Sequence, residues 1–152
     1  MPDIETAHPS VRPRDLTKRH LTYRIAAMPA DTNAGGDIFG GWLMAQVDIA
    51  GSVLAFEAAT GRIATRAINE FKFLSPVLVG DLVSCYAFVT RVGNTSVQVH
   101  VEVEVERPLS PGDVVPVAEA TLTYVALDAT GKPRSVPPLE RPADLSRQGD
   151  SR

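Results

Sequence analysis

The chain has 152 residues, which is enough for one domain with a sizeable apolar core. Its formal net charge of −3, with no basic stripe in the sequence, argues against nucleic acid as the main partner. Cys85 is the single cysteine, which rules out an internal disulfide framework and suits a reducing compartment, so we expect a cytoplasmic protein.

The two ends of the sequence differ in composition from the middle. Residues 1–15 are polar, contain three prolines and show no hydrophobic period, so we predict a disordered N-terminal tail there and no secretory signal. Residues 131–152 are predicted to form a Pro-rich C-terminal tail, which leaves a domain over residues 16–130. We expect no apolar stretch to reach the roughly 20 residues that span a bilayer, and therefore no membrane partner.

A strand and a loop open the domain. Leu21, Tyr23 and Ile25 alternate with polar neighbours, which predicts a strand. Residues 30–41 are rich in Gly, Asp and Asn. This composition predicts a loop that delivers the backbone to the start of a helix.

The chain is organised around a helix predicted over residues 40–60. Its ionisable side chains are Asp48 and Glu57. On a helical wheel Gln46, Ala50 and Glu57 share one side, predicted to face solvent, and Asp48 falls opposite among small residues. A carboxylate there is costly unless main-chain N–H groups or a partner helix satisfy it. The alternative is a general base or nucleophile kept reactive by burial.

Four strands are predicted after the helix. The clearest alternates valine with polar residues, which is typical of an antiparallel sheet covered on one side. The four strands cover residues 63–74, 82–92, 96–106 and 115–127. In the strand over residues 63–74, one face is predicted to contain Ile63, Ala67, Phe71 and Phe73.

The order of these elements predicts the fold class. One strand, a long helix and four strands lack the alternation of a parallel, doubly wound sheet. We therefore predict an α+β fold in which an antiparallel sheet wraps around one long central helix. The open edges of such a sheet favour pairing with a second copy of the chain.

The glycine-rich segment over residues 35–41 is neither a Walker loop nor a dinucleotide fingerprint. It presents main-chain N–H groups at a helix start, where a developing negative oxygen is stabilised. Asp48 follows two turns later on the same helix. We expect a carbonyl polarised at Gly40 or Gly41 to lie within reach of this carboxylate, which predicts an acyl-transfer site.

Other reactive side chains give weaker signals. The histidines, His8, His20 and His100, have no ligand-like neighbours, so we predict solvated histidines and no metal site. Cys85 alternates within a strand and is predicted to be a buried, inert thiol.

The loop and the helix start also carry a long motif. It reads Ala-Met-Pro-Ala-Asp-Thr-Asn-Ala over residues 27–34, Gly-Asp-Ile-Phe-Gly-Gly-Trp-Leu-Met over residues 36–44 and Gln-Val-Asp over residues 46–48. This motif closely resembles the bacterial acyl-CoA thioesterases of the YciA type, which have the hotdog fold. The resemblance extends over residues 16–127 and includes the segments 73–77, 79–81 and 93–96.

The resemblance implies a hotdog fold in which two subunits pair through a continuous sheet to form a dimer. Three such dimers are expected to assemble into a hexamer. It implies hydrolysis of acyl-CoA to a free acid and coenzyme A, with no metal and no cofactor besides the thioester substrate.

The resemblance also implies roles for individual residues. Asp48 matches the catalytic aspartate, as general base or nucleophile, and Gly40 and Gly41 match the helix start that holds the thioester oxygen. Asp37 of a neighbouring subunit is expected to orient water. The expected contacts with the acyl and coenzyme A parts of the substrate are Asn33, Phe39, Trp42, Phe73, Arg91, Thr95 and Ser96.

Two other functions are compatible with this fold. One is a hotdog hydratase or dehydratase, which usually needs an Asp–His pair, and the loop and helix contain no histidine. The other is a non-catalytic module that binds or senses acyl-CoA. Asp48 and the glycines at the helix start argue against it.

Overall fold

The computed structural model of the protein describes residues 14–139. The predictions for residues 1–13 and 140–152, including the solvated His8, lie outside the described residues. The elements are β1 (His20–Ala26), a 3₁₀ turn (Pro29–Asp31), α1 (Gly40–Ala59), β2 (Ile63–Phe73), β3 (Leu82–Val92), β4 (Ser96–Glu106) and β5 (Val114–Ala126).

The five described strands form one antiparallel sheet in the order β1-β3-β4-β5-β2. Helix α1 lies against one face of this sheet and contacts every strand. The predicted α+β fold, an antiparallel sheet around one long helix, is confirmed. β1 and β2 are the two edge strands.

The core lies between α1 and the inner face of the sheet. In β4 the valines from Val97 to Val105 are buried, whereas the polar residues between them are half-buried on the outer face. Leu122 and Tyr124 of β5 add the largest buried side chains beside them. The alternation predicted for this strand is therefore confirmed.

The orientation predicted for the helix is wrong. Gln46 and Ala50, expected to face solvent, are buried, and the Gln46 amide donates to the Trp42 carbonyl at 3.2 Å. The exposed side instead carries the apolar residues Ile49, Val53 and Phe56. Because α1 is apolar on nearly every side, a wheel cannot distinguish the face that meets the sheet from the face left open.

The expectation about membrane-length segments is also wrong. The 20 residues of α1 are long and apolar enough, by length and composition, to cross a membrane. Half of this stretch is buried inside the domain, which is typical of a core helix.

Two β-bulges change which residues of β2 share a face, so the alternation predicted for this strand is wrong at Ala67. The pairing with β5 shifts between Thr65 and Ala67 and again between Asn69 and Phe71. Each shift inserts one extra residue and reverses the alternation that follows it. The residues of β2 that oppose the buried side chains of β5, and so share their face, are Ile63, Thr65, Ile68, Phe71 and Phe73.

Gly51 allows α1 to approach the sheet closely. A Cβ at this position would overlap the hydroxyl of Tyr124. We expect Gly51→Ala to lower the free energy of unfolding by about 2 kcal/mol, because the packed core cannot absorb the added methyl group. Urea unfolding at a fixed protein concentration measures the change.

Gly41→Ala is the matched control for this substitution. Among the described residues no atom lies within 4 Å of a Cβ at Gly41, so its stability should equal or slightly exceed that of the unmodified protein. Equal unfolding midpoints for the Gly51 and Gly41 variants would contradict the packing argument.

The chain stays in contact with the domain beyond β5. The Arg134 N–H donates to the Ala126 carbonyl and the Val136 N–H donates to the Asn94 carbonyl, at 2.9 and 2.8 Å. Val136 and Leu139 pack against the core. Contacts with the domain therefore continue into residues 131–139, the first part of the predicted C-terminal tail.

Candidate active site

The loop before α1 is held by Asn33. Its Oδ1 accepts hydrogen bonds from the N–H groups of Gly35 and Asp37, at 2.9 and 3.2 Å. The Asn33 N–H donates to the Asp37 carbonyl at 2.7 Å. The side chain of Asn33 thus shapes the loop, and Asp37 lies exposed beside it.

The start of α1 carries main-chain donors without a side-chain cap. Phe39 occupies the N-cap position and, within the described chain, no side chain accepts from the first turn. The N–H groups at Gly40 and Gly41 have no acceptor inside the helix. A Cβ on Gly40 would lie 3.1 Å from the Phe73 ring, so glycine lets this ring cover the helix start.

A cavity of about 360 Å³ opens beside this helix start. Its walls combine the loop, the first turn of α1 and the segment after β2. The lining residues are Asn33, Asp37, Ile38, Phe39, Gly40, Leu43, Phe73, Leu74, Ser75, Pro76 and Val77. The cavity therefore brings Gly40 together with four other residues of the predicted site, which are Asn33, Asp37, Phe39 and Phe73.

A buried ion pair holds one wall of the cavity. Asp81 is 1% exposed, and its Oδ2 accepts from the Leu78 N–H at 2.8 Å. Arg107 Nε lies 3.6 Å from Asp81 Oδ1, and its Nη2 donates to the Pro76 carbonyl at 3.2 Å. No sequence motif indicates this contact, because Arg107 follows the end of β4 and is distant from Asp81 in sequence.

Asp48 lies at the boundary between α1 and the edge strand β2. It is half-buried, and its Oδ1 accepts a 2.7 Å hydrogen bond from the hydroxyl of Thr65. The Tyr124 hydroxyl donates to the main-chain carbonyl of Asp48 at 2.7 Å. Burial, followed by the nearby charge of Asp48, raises the pKa of Tyr124 far above its ordinary value, so this hydroxyl stays a donor.

The described partners of the Asp48 carboxylate are side chains rather than main-chain N–H groups. Its Oδ1 accepts from Thr65, and the Tyr124 hydroxyl also interacts with the carboxylate. Asp48 is thus oriented by β2 and β5.

Helical geometry argues against one helix supplying both acid and donors to the same carbonyl. Asp48 follows Gly41 by seven positions, which corresponds to about 10 Å along the helix axis. A carbonyl bound at the helix start is therefore too distant from Asp48 of the same chain.

Three predicted substrate contacts lie at the other end of the domain. The turn at Thr95 and Ser96 joins β3 to β4, and the Thr95 carbonyl accepts from Ala126, which pairs with Ile63. The helix start lies beside Phe73, at the opposite end of β2. Arg91 lies at the same end of the domain as Thr95 and Ser96. Within one chain, none of these three residues lines the cavity at the helix start. Trp42 packs partly against the core.

The remaining reactive side chains lie outside the candidate site. Cys85 is buried as predicted, and burial raises the pKa of its thiol to about 12, which keeps it protonated and inert. His20 and His100 were expected to be solvated, but His20 Nε2 lies 2.7 Å from a carbonyl and His100 Nδ1 3.0 Å from a hydroxyl. Over residues 14–139 no group of His, Cys, Asp and Glu could hold a metal ion.

Known proteins share both the sequence and the fold. A family model described as the thioesterase superfamily matches residues 35–111. The acyl-CoA thioester hydrolase YciA of Escherichia coli K12 is 51% identical over 119 residues, which cover 77% of this chain and 90% of that protein.

Two solved structures are similar along most of the chain. A hexameric thioesterase of Yersinia pestis has a TM-score of 0.73 and 48% identity, covering 78% of this chain and 96% of its own. A hexameric hotdog-fold thioesterase of Campylobacter jejuni has a TM-score of 0.74 and 39% identity, covering 82% and 93%. The chain therefore belongs to the thioesterase superfamily and has the hotdog fold.

Proposed function

We propose that the protein hydrolyses acyl-CoA thioesters to a free carboxylic acid and coenzyme A. Relatives whose sequences are about 50% identical to this chain are acyl-CoA thioester hydrolases. The observation that carries the proposal is Asp48, a half-buried carboxylate at the edge of the sheet whose Oδ1 is oriented by Thr65. No further cofactor is required by this chemistry, and we expect it to take place in the cytoplasm.

The proposed site combines two chains. Since the donors at Gly40 and Gly41 lie about 10 Å from Asp48 of the same helix, a thioester at Asp48 takes its oxyanion donors from the helix start of a second copy. Asp37 of that copy is placed beside the same helix start, where it can orient water. The Yersinia pestis and Campylobacter jejuni thioesterases are hexameric, which supports a dimer that assembles into a trimer of dimers.

The exposed surface supports this assembly. Ile49, Val53 and Phe56 are 46%, 36% and 57% exposed on the outer side of α1. Large apolar side chains grouped on one helix are typical of an interface between subunits. In the same assembly, Arg91, Thr95 and Ser96 of one subunit contact the coenzyme A bound beside another.

The reaction proceeds by addition and elimination at the thioester carbonyl. In one route Asp48 Oδ2 takes a proton from water, whose oxygen adds to the carbonyl carbon. In the other, Oδ2 adds directly and water then hydrolyses the anhydride. In both, the carbonyl electrons move to the oxygen held by the helix start. They return as the C–S bond breaks and coenzyme A leaves as a thiolate. In the first route the thiolate takes the proton that Asp48 removed from water. In the second it takes a proton from solvent, and water then splits the anhydride into the free acid and the Asp48 carboxylate.

A thiol-release assay over saturated acyl-CoAs of increasing chain length tests the proposal. We expect stoichiometric release of coenzyme A. Tight binding without release would support the acyl-CoA sensor instead. Addition of water to a 2-enoyl-CoA without thiol release would support the hydratase.

Thr65 is expected to orient Asp48 for this reaction. Thr65→Val keeps the shape of the side chain and removes the donor, so kcat should fall by about tenfold. Thr65→Ser, which keeps the hydroxyl, is the matched control and should stay near the unmodified rate. Equal kcat values for the two variants would show that the hydrogen bond plays no part in turnover.

A further inference from the structure

Two hydroxyl groups from neighbouring strands hold Asp48, one at its side chain and one at its backbone. The Thr65 hydroxyl donates to Oδ1 at 2.7 Å, and the Tyr124 hydroxyl donates to the main-chain carbonyl at 2.7 Å. Thr65 of β2 and Tyr124 of β5 lie directly opposite each other in the sheet. Since the Cβ atoms of such cross-strand neighbours are about 5 Å apart, both side chains rise from one point of the sheet towards the same helical residue.

The Tyr124 hydroxyl reaches the helix backbone because Gly51 leaves room for it. Tyr124 is fully buried, and a Cβ on Gly51 would overlap its hydroxyl. A helical carbonyl has two lone pairs, and the N–H group four residues later uses one of them, so the hydroxyl adds a second hydrogen bond. Apolar packing alone would be served by alanine on the helix and phenylalanine on the strand. The pair present here brings a donor to the carbonyl of Asp48.

A different hydroxyl ties α1 to the opposite edge of the sheet. Thr22 of β1 donates to the main-chain carbonyl of Ala50 at 2.9 Å. Ala50 follows Asp48 by two residues, about 200° around the helix, and carries no reactive group. The Thr22 contact therefore anchors the same turn of α1 without holding the acid itself.

We infer that Tyr124 is a positioning residue for hydrolysis, because its hydroxyl fixes the backbone of Asp48 while Thr65 fixes the carboxylate. The inference rests on the proposed function and adds to it a residue that does not contact the substrate. Tyr124 has no exposed surface, so its effect on the reaction passes through Asp48. A catalytic group displaced by 1 Å can lose about 100-fold in rate, and loss of one of the two contacts should produce part of that effect.

Tyr124→Phe removes the hydroxyl and keeps the buried ring. The kcat for thiol release should fall by about tenfold, whereas KM should change by less than about twofold because no substrate contact is lost. In an Asp48→Asn background the same substitution should leave the residual rate unchanged, since the carboxylate through which Tyr124 acts is absent. A tenfold loss in both backgrounds would overturn the inference.

Thr22→Val is the matched control. It keeps the shape of the side chain and removes the other hydroxyl that reaches a carbonyl of α1. Both variants should lower the midpoint of urea unfolding, but Thr22→Val should retain its kcat within about twofold. Equal losses of kcat in the two variants would show that any loosening of α1 slows the reaction, and Tyr124 would then have no particular role in positioning Asp48.

Unfolding measures the contact between hydroxyl and helix without reference to turnover. Gly51→Ala displaces the Tyr124 hydroxyl, so it should lower both the urea midpoint and kcat. In the double variant Gly51→Ala/Tyr124→Phe the hydroxyl is absent, so its urea midpoint should exceed that of Gly51→Ala alone. A double variant whose loss of stability equals the sum of the two single losses would refute the contact.

The two kinds of measurement separate this inference from the proposed function. An unmodified protein without thiol release would reject the proposed function, while the unfolding measurements would still report the contact. Thiol release at an unchanged kcat in Tyr124→Phe would overturn the inference and retain the proposed function.

Discussion

Replacing Asp48 with asparagine should lower kcat by about 1,000-fold or more, because the amide can neither accept a proton from water nor attack the thioester. The substitution keeps the size of the side chain and an oxygen that accepts from Thr65. The thiol-release rate at saturating substrate measures the loss. Asp48→Ala should abolish hydrolysis as well.

The fold provides the control for this result. Asp48 is half-buried at the edge of α1 and lies outside the packed core, so both variants should keep their secondary structure and their state of assembly. Circular dichroism and sedimentation velocity measure these properties. An Asp48→Asn protein that retains most of its turnover would contradict the base and the nucleophile alike.

Replacing Gly40 with valine should lower kcat/KM by about 100-fold, the effect of losing an oxyanion donor. The first carbon of the new side chain would already lie 3.1 Å from the Phe73 ring. Its two methyl groups must therefore displace that ring or block the N–H groups of the first turn. Substrate analogues that lack the carbonyl oxygen should bind equally well to both proteins.

Stability measurements separate this effect from unfolding. Gly40 is only half-buried at the helix start, so Gly40→Val should retain the sheet and the assembly. Gly40→Val with undiminished kcat/KM would place the oxyanion donors elsewhere on the protein.

The elements were predictable where a local signal marks them. The end of α1 follows from Gly61, which lies just past the left-handed residue Thr60. β4 follows from a strict alternation that only a one-sided strand produces. The main-chain donors at Gly40 and Gly41 were predictable because a glycine-rich segment leads into a long helix.

The faces of the elements were less predictable. α1 buries Gln46 and exposes Phe56, because nearly all its residues are apolar and burial depends on which side meets the sheet. In β2 the bulges at Arg66 and Glu70 reverse a parity that a simple alternation of two assigns wrongly.

The partners of Asp48 arise from distant parts of the chain. Thr65 follows it by 17 residues and Tyr124 by 76, and no periodic pattern links them. The sequence marks these partners only weakly. Thr65 is one threonine in the strand after the helix, and the approach of Tyr124 is marked only by Gly51, one turn beyond Asp48. The separation of acid and donors along one helix follows from helical rise alone, and it is the reason for proposing a site built from two chains.

Mixing two inactive variants is the most direct test of the two-chain site. Asp48→Asn and Gly40→Val chains are unfolded together in equal amounts, refolded, and assayed for thiol release. Half the dimers are then mixed, and each has one site with an intact acid and an intact helix start, so the activity should recover to about a quarter of the unmodified rate. If the mixture contains mixed dimers and stays as inactive as its parents, acid and donors do not come from different chains.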